Sequence, residues 1–333
     1  LVTVATPKSC VPDISQTPEL MTLGLPDRHG KVAARGADAV LALKSDVVAV
    51  GPGFGTALGA AKLVLQLLDK YDGPLILDAD ALNVLDFEDV AIQKAFVRRA
   101  VRAYKTDQRY AVIMTPHVAE FSRLTGRTVD EINADPISIS SKFARKWGVW
   151  LVLKGTRTIL AKPTGHTVIN TTGNPGMATA GCGDVLTGVI AACLAKKEVE
   201  SRHHSDTAQT AEWIDAISFG GEYTLGVLEA IYIHGRAGDL AARARGEVSL
   251  IASDILDCLG EAFTSVTEKS YPSERSNSRY VTQVTRRNRG TSSHEALVSV
   301  PGFFYGCADL ATKFFGFDAE TTDDSLDFLD IDD

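Results

Sequence analysis

Asp46-Val47-Val48-Ala49-Val50-Gly51-Pro52-Gly53-Phe54-Gly55 carries a β-branched apolar stretch straight into a glycine turn. From Ala57 to Asp69, Leu58, Ala61, Leu65 and Leu68 then recur at helical spacing. The alternation continues along the chain. Pro74-Leu75-Ile76-Leu77-Asp78 reads as a strand, about Val90 to Tyr104 as a helix, and Tyr110-Ala111-Val112-Ile113-Met114 as a strand closed by Thr115-Pro116. Val149-Trp150-Leu151-Val152-Leu153 is a further strand. Arg157 to Ala161 and His166 to Ile169 form an antiparallel pair turned at Pro163-Thr164-Gly165. Strands that are continuously apolar belong to a sheet covered on both faces. The expected fold is therefore α/β, a mostly parallel central sheet with helices on both faces.

Composition narrows the function classes. At 333 residues, 45% apolar and 23% charged, the chain is globular, long enough for a sizeable core without disulfides or metals. A net charge of -8 argues against a nucleic-acid surface, and no run of 18 apolar residues offers a membrane span. The five cysteines are odd in number, widely spaced and lack a CxxC, so a reducing cytoplasm is expected rather than a disulfide framework or zinc site. Leu1-Val2-Thr3-Val4-Ala5 is strand-like from the first residue, as if part of a domain lay upstream.

Two regions break the pattern. Lys196 to Thr224 is polar, includes His203-His204, and reads as an insertion or long loop between helices. From about Thr267 the composition shifts: basic residues sit among Ser, Thr and Asn up to Gly290, and Asp318 to Asp333 holds eight acidic residues and no basic one. Residues 1–265 are expected to form the folded domain and residues 266–333 a largely disordered tail.

In an open α/β sheet, ligands bind beyond the carboxyl ends of the strands. Gly51-Pro52-Gly53-Phe54-Gly55, Asp78-Ala79-Asp80, Thr115-Pro116-His117 and Lys154-Gly155 each follow a strand directly, so four segments converge on one edge. The richest segment is Asn174-Pro175-Gly176-Met177-Ala178-Thr179-Ala180-Gly181-Cys182-Gly183-Asp184, which opens a helix from Val185. Gly181 and Gly183 free the backbone to approach a ligand, and N–H groups at a helix start favour a phosphate. Asp184 there is either a helix-end charge or a base that deprotonates an attacking hydroxyl. Asp78 and Asp80, with Asn83 nearby, either cap the next helix or hold a ligand or a magnesium ion through water. His117, three residues before Glu120, is a buried histidine or a ligand contact. Lys154 is a snorkelling lysine or a phosphate contact.

The set as a whole is specific. The glycine turn, Asp78-Ala79-Asp80-Ala81-Leu82-Asn83, Thr115-Pro116-His117-Val118-Ala119-Glu120-Phe121, Lys154-Gly155-Thr156-Arg157-Thr158 and Thr172 through Gly188 stand in the order found in the NAD(P)H-hydrate dehydratases. These are nicotinamide-nucleotide repair enzymes of the ribokinase-like superfamily. Ile233-His234-Gly235-Arg236-Ala237-Gly238-Asp239 and Ala252-Ser253-Asp254 resemble the family's closing helices. The resemblance covers about Leu1 to Phe263 and is nearer the bacterial, ADP-using branch.

The resemblance implies ADP-dependent phosphorylation of a C6 hydroxyl on hydrated NADH or NADPH, then elimination of phosphate, with magnesium as the accompanying ion. It implies Asp184 as base. Gly55, His117 and Asp184 would contact the hydrated nucleotide, and Lys154, Gly155, Thr156, Arg157, Thr158 and Gly183 the ADP. The backbone N–H groups of Gly181, Cys182 and Gly183 would form the anion hole, with Asp78, Asp80, Asn83, Glu120 and Asn174 in support. A cytoplasmic homo-oligomer, a homotetramer in the family, goes with it. Val118-Ala119 replaces the usual Pro-Gly, Cys182 stands where Ser or Gly is usual, and the family's first strand and substrate-contacting turn would lie upstream of Leu1. The competing readings are a hydroxyethylthiazole-kinase-like small-molecule kinase and a truncated nucleotide-binding remnant.

Overall fold

The computed structural model describes residues 1–105, 111–204, 221–267 and 284–285. The expected tail lies outside the described residues, apart from 266–267 and 284–285. Near the start, β1 (Thr3–Pro7) pairs parallel with β2 (Met21–Leu25) as a separate two-stranded sheet, and β3 (Asp27–Arg28) with β4 (Lys31–Val32) makes a small hairpin.

The central sheet runs β11-β10-β9-β8-β7-β6-β5. Its parallel part is β5 (Val48–Val50), β6 (Leu75–Leu77), β7 (Val112–Met114) and β8 (Trp150–Leu153). Its antiparallel part is β9 (Ile159–Ala161), β10 (Thr167–Ile169) and β11 (Val284–Thr285). The β9–β10 hairpin forms as the Pro163-Thr164-Gly165 turn predicts. The parallel strands neighbour one another in chain order. Right-handed crossovers then send every connecting helix to the same face.

That face carries α3 (Leu58–Lys70), α5 (Val90–Lys105) and α8 (Pro136–Trp147), packed on Leu75, Leu77, Val112, Met114, Leu151 and Leu153. The opposite face carries α9 (Cys182–His204) and α10 (Gly221–Arg245), packed on Ile76, Ile113, Trp150 and Val152. Alternate residues of each strand thus feed two separate cores, which is why the strands are apolar throughout. The architecture is the α/β fold expected, with helices on both faces.

Two expectations about the second face change. The helix begins at Cys182 rather than Val185, and it does not stop near Ala195. Lys196 to His204 is helix and α10 starts at Gly221, so only residues 205–220 of the expected 196–224 loop stay outside the described residues. The polarity that suggested a loop is that of a helix laced by ion pairs. Lys197 Nζ meets Glu200 Oε2 at 2.9 Å, and Lys196 Nζ reaches Glu229 Oε1 on α10 at 3.4 Å.

The end of α3 is fixed by Arg99 on α5, a fully buried guanidinium. It donates to the carbonyls of Leu68 at 3.2 Å and Tyr71 at 2.7 Å, and also to that of Gly73. These are the carbonyls that a helix leaves without partners at its C-terminus and in the following turn. Arg99→Leu keeps the apolar stem but takes the guanidinium from the Tyr71 and Gly73 carbonyls, while Leu68 keeps Arg102 as a donor. The substitution is expected to lower the unfolding free energy by about 3 kcal/mol in urea titrations. An unchanged midpoint would show that water or neighbouring donors replace the guanidinium.

Candidate active site

Because β5 to β8 are parallel, their carboxyl ends meet at one edge. Gly51 leaves β5 at φ +138°, and a side chain there would collide with the Asp78 carbonyl after β6. Only glycine lets the two strand ends pass so closely. Asp78 is buried at 1% exposure. One carboxylate oxygen accepts from Lys154 Nζ at 2.8 Å, just beyond β8, and the other from the Thr187 hydroxyl of α9 at 2.7 Å. His117 after β7 pairs in parallel with Lys154, whose N–H donates to the Pro116 carbonyl at 2.8 Å. Hydrogen bonds and close packing therefore join all four strand ends and the helix from the far face.

Ala79 turns the chain between the two aspartates at φ +46°, a conformation an L residue rarely holds. The turn sends Asp80 away from Asp78. Asp80 accepts from the Gly55 N–H at 2.8 Å and from Asn83 Nδ2 at 3.1 Å, and Asn83 Oδ1 accepts from Arg123 at 2.6 Å. Asp80 thus staples the glycine turn to the end of β6. Both carboxylates accept from protein donors in this arrangement. Among the described residues no group of three His, Cys, Asp or Glu is placed to hold a metal ion.

The Lys154 ammonium lies against the start of α9. A Cβ built on Gly183 would sit 3.1 Å from Nζ. The first N–H groups of a helix have no partner within it and carry the positive end of its dipole. Lys154 is already paired with Asp78, and an anion at the helix start would meet its remaining N–H donors together with the helix dipole. Gly181 enters the helix at φ +83°, with its backbone against Ala252. The expected three-donor anion hole is reduced in one place, since the Cys182 N–H makes a long 3.4 Å bond to the Thr179 carbonyl. Asp184 is exposed in the first turn and makes no ion pair or side-chain hydrogen bond with the described residues.

His117 is not buried. Its ring is half exposed and caps a helix, α6 (Val118–Thr125). Nδ1 accepts from the N–H groups of Ala119 at 3.1 Å and Glu120 at 3.3 Å, and the Glu120 carboxylate accepts from the His117 N–H at 2.8 Å. Nδ1 is an acceptor, so Nε2 carries the proton. Gly155, Thr156 and Arg157 are exposed beside Lys154, with Arg157 donating to the Thr171 carbonyl at 3.3 Å and the Thr158 carbonyl accepting from the Asn170 N–H at 2.9 Å. Asn174 bonds the Gly176 N–H and Asp239.

Three residues outside the expected set complete the site: Thr187, His234 and Asp239. Thr187 lies one helical turn beyond Gly183, so the i,i+4 spacing puts both on one face. His234 is buried on α10, with Nε2 3.0 Å from the Cys182 carbonyl and 3.5 Å from Cys182 Sγ. A Cys–His pair invites a nucleophile reading, which the electrostatics exclude. Burial pushes the Cys182 thiol up to about 11 and the His234 imidazole down to about 4. Both are neutral at neutral pH, so no thiolate forms. A separate open cavity of about 520 Å³ lies beside the β3–β4 hairpin and the start of α3, lined by Arg28, Lys31, Ala57, Gly59 and Lys62 among others.

The family model described as NAD(P)H-hydrate dehydratase matches residues 1–260. A bifunctional NAD(P)H-hydrate repair enzyme Nnr from Moorella thermoacetica is 36% identical over 81% of this chain and 45% of its own. An ADP-dependent (S)-NAD(P)H-hydrate dehydratase from Neisseria meningitidis serogroup B is 40% identical over 47% of this chain and 50% of its own. The chain spans about half the length of the curated relatives it matches. Among solved structures, the ADP/ATP-dependent NAD(P)H-hydrate dehydratase of Bacillus subtilis, co-crystallized with ATP/Mg2+, superposes with a TM-score of 0.59 at 26% identity. It covers 79% of this chain and 78% of that one.

The neutral His234 makes stability depend on pH. The folded-state value of about 4 lies below the ordinary 6.5, so between them the unfolded chain binds more protons. Stability is then full above about pH 6.5 and falls by up to about 3 kcal/mol as pH drops towards 4. Urea unfolding of His234→Gln across that window should show a flatter pH profile than the parent chain. Parallel profiles would contradict the assignment.

Proposed function

The chain belongs to the NAD(P)H-hydrate dehydratase family, and on that footing we propose that it repairs hydrated nicotinamide nucleotides. The proposed reaction is ADP-dependent dehydration of (S)-NADHX and (S)-NADPHX to NADH and NADPH, with AMP and phosphate released. The proposed catalytic domain is residues 1–265. The observation that carries the proposal is the anion cradle: Lys154 and the start of α9 face one another across Gly183, with Asp184 one residue on.

In this reading the β-phosphoryl group of ADP rests on the free N–H groups of the α9 start, with Lys154 beside it. Lys154 to Thr158 and Gly183 hold the AMP portion. Gly55, His117 and Asp184 face the hydrated ring. Asp184 takes the proton from the C6 hydroxyl as its oxygen attacks phosphorus, and AMP departs. The C6–O bond then breaks with phosphate leaving, the C5 proton is lost, and the ring double bond returns. An exposed carboxylate with no competing partner is suited to receive that first proton. Magnesium is proposed to arrive on the nucleotide phosphates, where it neutralises charge.

The free cysteines Cys10, Cys182, Cys193 and Cys258 support a reducing, cytoplasmic setting. Among the described residues no helix is long and apolar enough to cross a membrane. A homo-oligomer is proposed from family resemblance alone.

The test mixes hydrated NADPH with ADP or ATP and magnesium and follows the near-ultraviolet absorbance of the restored dihydronicotinamide. Recovery with ADP is expected, and no recovery with either nucleotide would overturn the repair function. Asp184→Asn should lower turnover by about 10³-fold or more while ADP binding survives. Full turnover in that variant would remove Asp184 from the base role.

A further inference from the structure

The helix α10 touches the Asn170–Asp184 segment at both ends. At one end Asp239 accepts from the Gly173 N–H and from Asn174 Nδ2, each at 3.1 Å. At the other end His234 Nε2 faces the Cys182 carbonyl at 3.0 Å. A carbonyl only accepts, so Nε2 donates there. Between these contacts the helix lies directly under the loop. A side chain at Gly235 would strike Thr172, and one at Gly238 would strike Met177. The Thr172 hydroxyl donates to the Tyr232 carbonyl at 3.0 Å, and the Asn174 side chain passes the fixation on to the Gly176 N–H at 3.1 Å.

The cradle needs such an anchor. Cys182, Gly183 and Asp184 sit in the first turn of α9, where helix hydrogen bonds are missing and ends fray. Gly173, Gly176, Gly181 and Gly183 make the approach to that turn flexible. Donors aimed at a transferring phosphoryl group help only if they are already in place. The Cys182 carbonyl shares its peptide group with the Gly183 N–H of the cradle, and it accepts from His234.

We propose that His234 and Asp239 are positioning residues, a two-point clamp that fixes the glycine loop on α10 so that the N–H groups at the start of α9 are preset for the phosphoryl group. The proposal rests on the phosphoryl-transfer function above. Neither side chain is assigned a contact with substrate. The neutral state of His234 suits the task, because it adds no charge behind the cradle.

The clamp makes distinct demands on kinetics and on local dynamics. His234→Leu and Asp239→Ala should each lower kcat by about 10²-fold, the cost of a misplacement near 1 Å, with the KM for hydrated NADPH changed less than about threefold. His234→Gln, which keeps an N–H near the Nε2 position, should recover most of the loss. Amide hydrogen exchange supplies a readout free of turnover. The Cys182 and Val185 amides should exchange at least about tenfold faster in both clamp variants, while the β5–β8 amides stay protected. Wild-type kcat in folded His234→Leu, or equal losses in His234→Leu and His234→Gln, would overturn the proposal. So would unchanged exchange at Cys182 and Val185. If wild type repairs no hydrated nucleotide but exchange responds as described, the clamp stands and the repair function fails. If His234→Leu does not fold, Asp239→Ala and His234→Gln carry both measurements.

Discussion

A carboxylate buried as completely as that of Asp78 is tolerable only with its charge met, and one of the two groups that meet it comes from a strand end, the other from a helix on one face of the sheet. Lys154 stands at the end of β8 and Thr187 on α9. Removing either partner leaves a buried charge short of compensation, which in comparable cases costs about 3–5 kcal/mol. The pair therefore does more than decorate the edge. It sets how far α9 lies from the strand ends, and hence where the helix start meets the lysine. The glycine at 51 and the strained alanine at 79 follow from the same demand. Asp78 must sit close under β5, and the next carboxylate must turn away from it.

The strands, the hairpin and the four converging segments are legible in the sequence, because each rests on local chemistry. Apolar runs of strand length, glycine where the backbone must pass closely and acidic or basic residues just past a strand all leave marks within ten residues. What the sequence hides is reciprocal. Lys154 reads either as a snorkelling side chain or as a phosphate contact, but its ion pair depends on Asp78, 76 positions away. His117 reads either as a buried histidine or as a ligand contact, whereas the chain turns there and the half-exposed ring becomes a helix cap. Lys196 to His204 reads as loop because its charges outnumber its apolar residues. Only the neighbouring helix shows that those charges are satisfied.

The stretch that holds His234 and Asp239 is recognisable in the sequence, but their proposed joint task is hidden for a geometric reason. Five residues apart on a helix, they point about 140° from one another. No amphipathic stripe joins them. They share a task only because the loop they hold wraps around the helix, and that wrapping is possible because Gly235 and Gly238 lie between them. A periodicity search finds faces that meet flat partners, and this face meets a curved one.

The net charge of -8 says little about the cradle, because the field there is set by its few nearest groups. Behind the loop, Cys182 and His234 are both held neutral by burial. In front of it stand one ammonium and one helix dipole, with the Asp78 charge already engaged by Lys154 and Thr187. An arriving phosphate therefore meets the helix dipole and a lysine that is already paired with Asp78. The exposed Asp184 carboxylate is the negative group at that helix start. Its repulsion of a bound phosphate is offset by the same dipole that favours both. In the proposed reaction a base stands beside an anion site, an electrostatic conflict, and placing the two on successive residues of one helix end is a way for a single dipole to stabilise both.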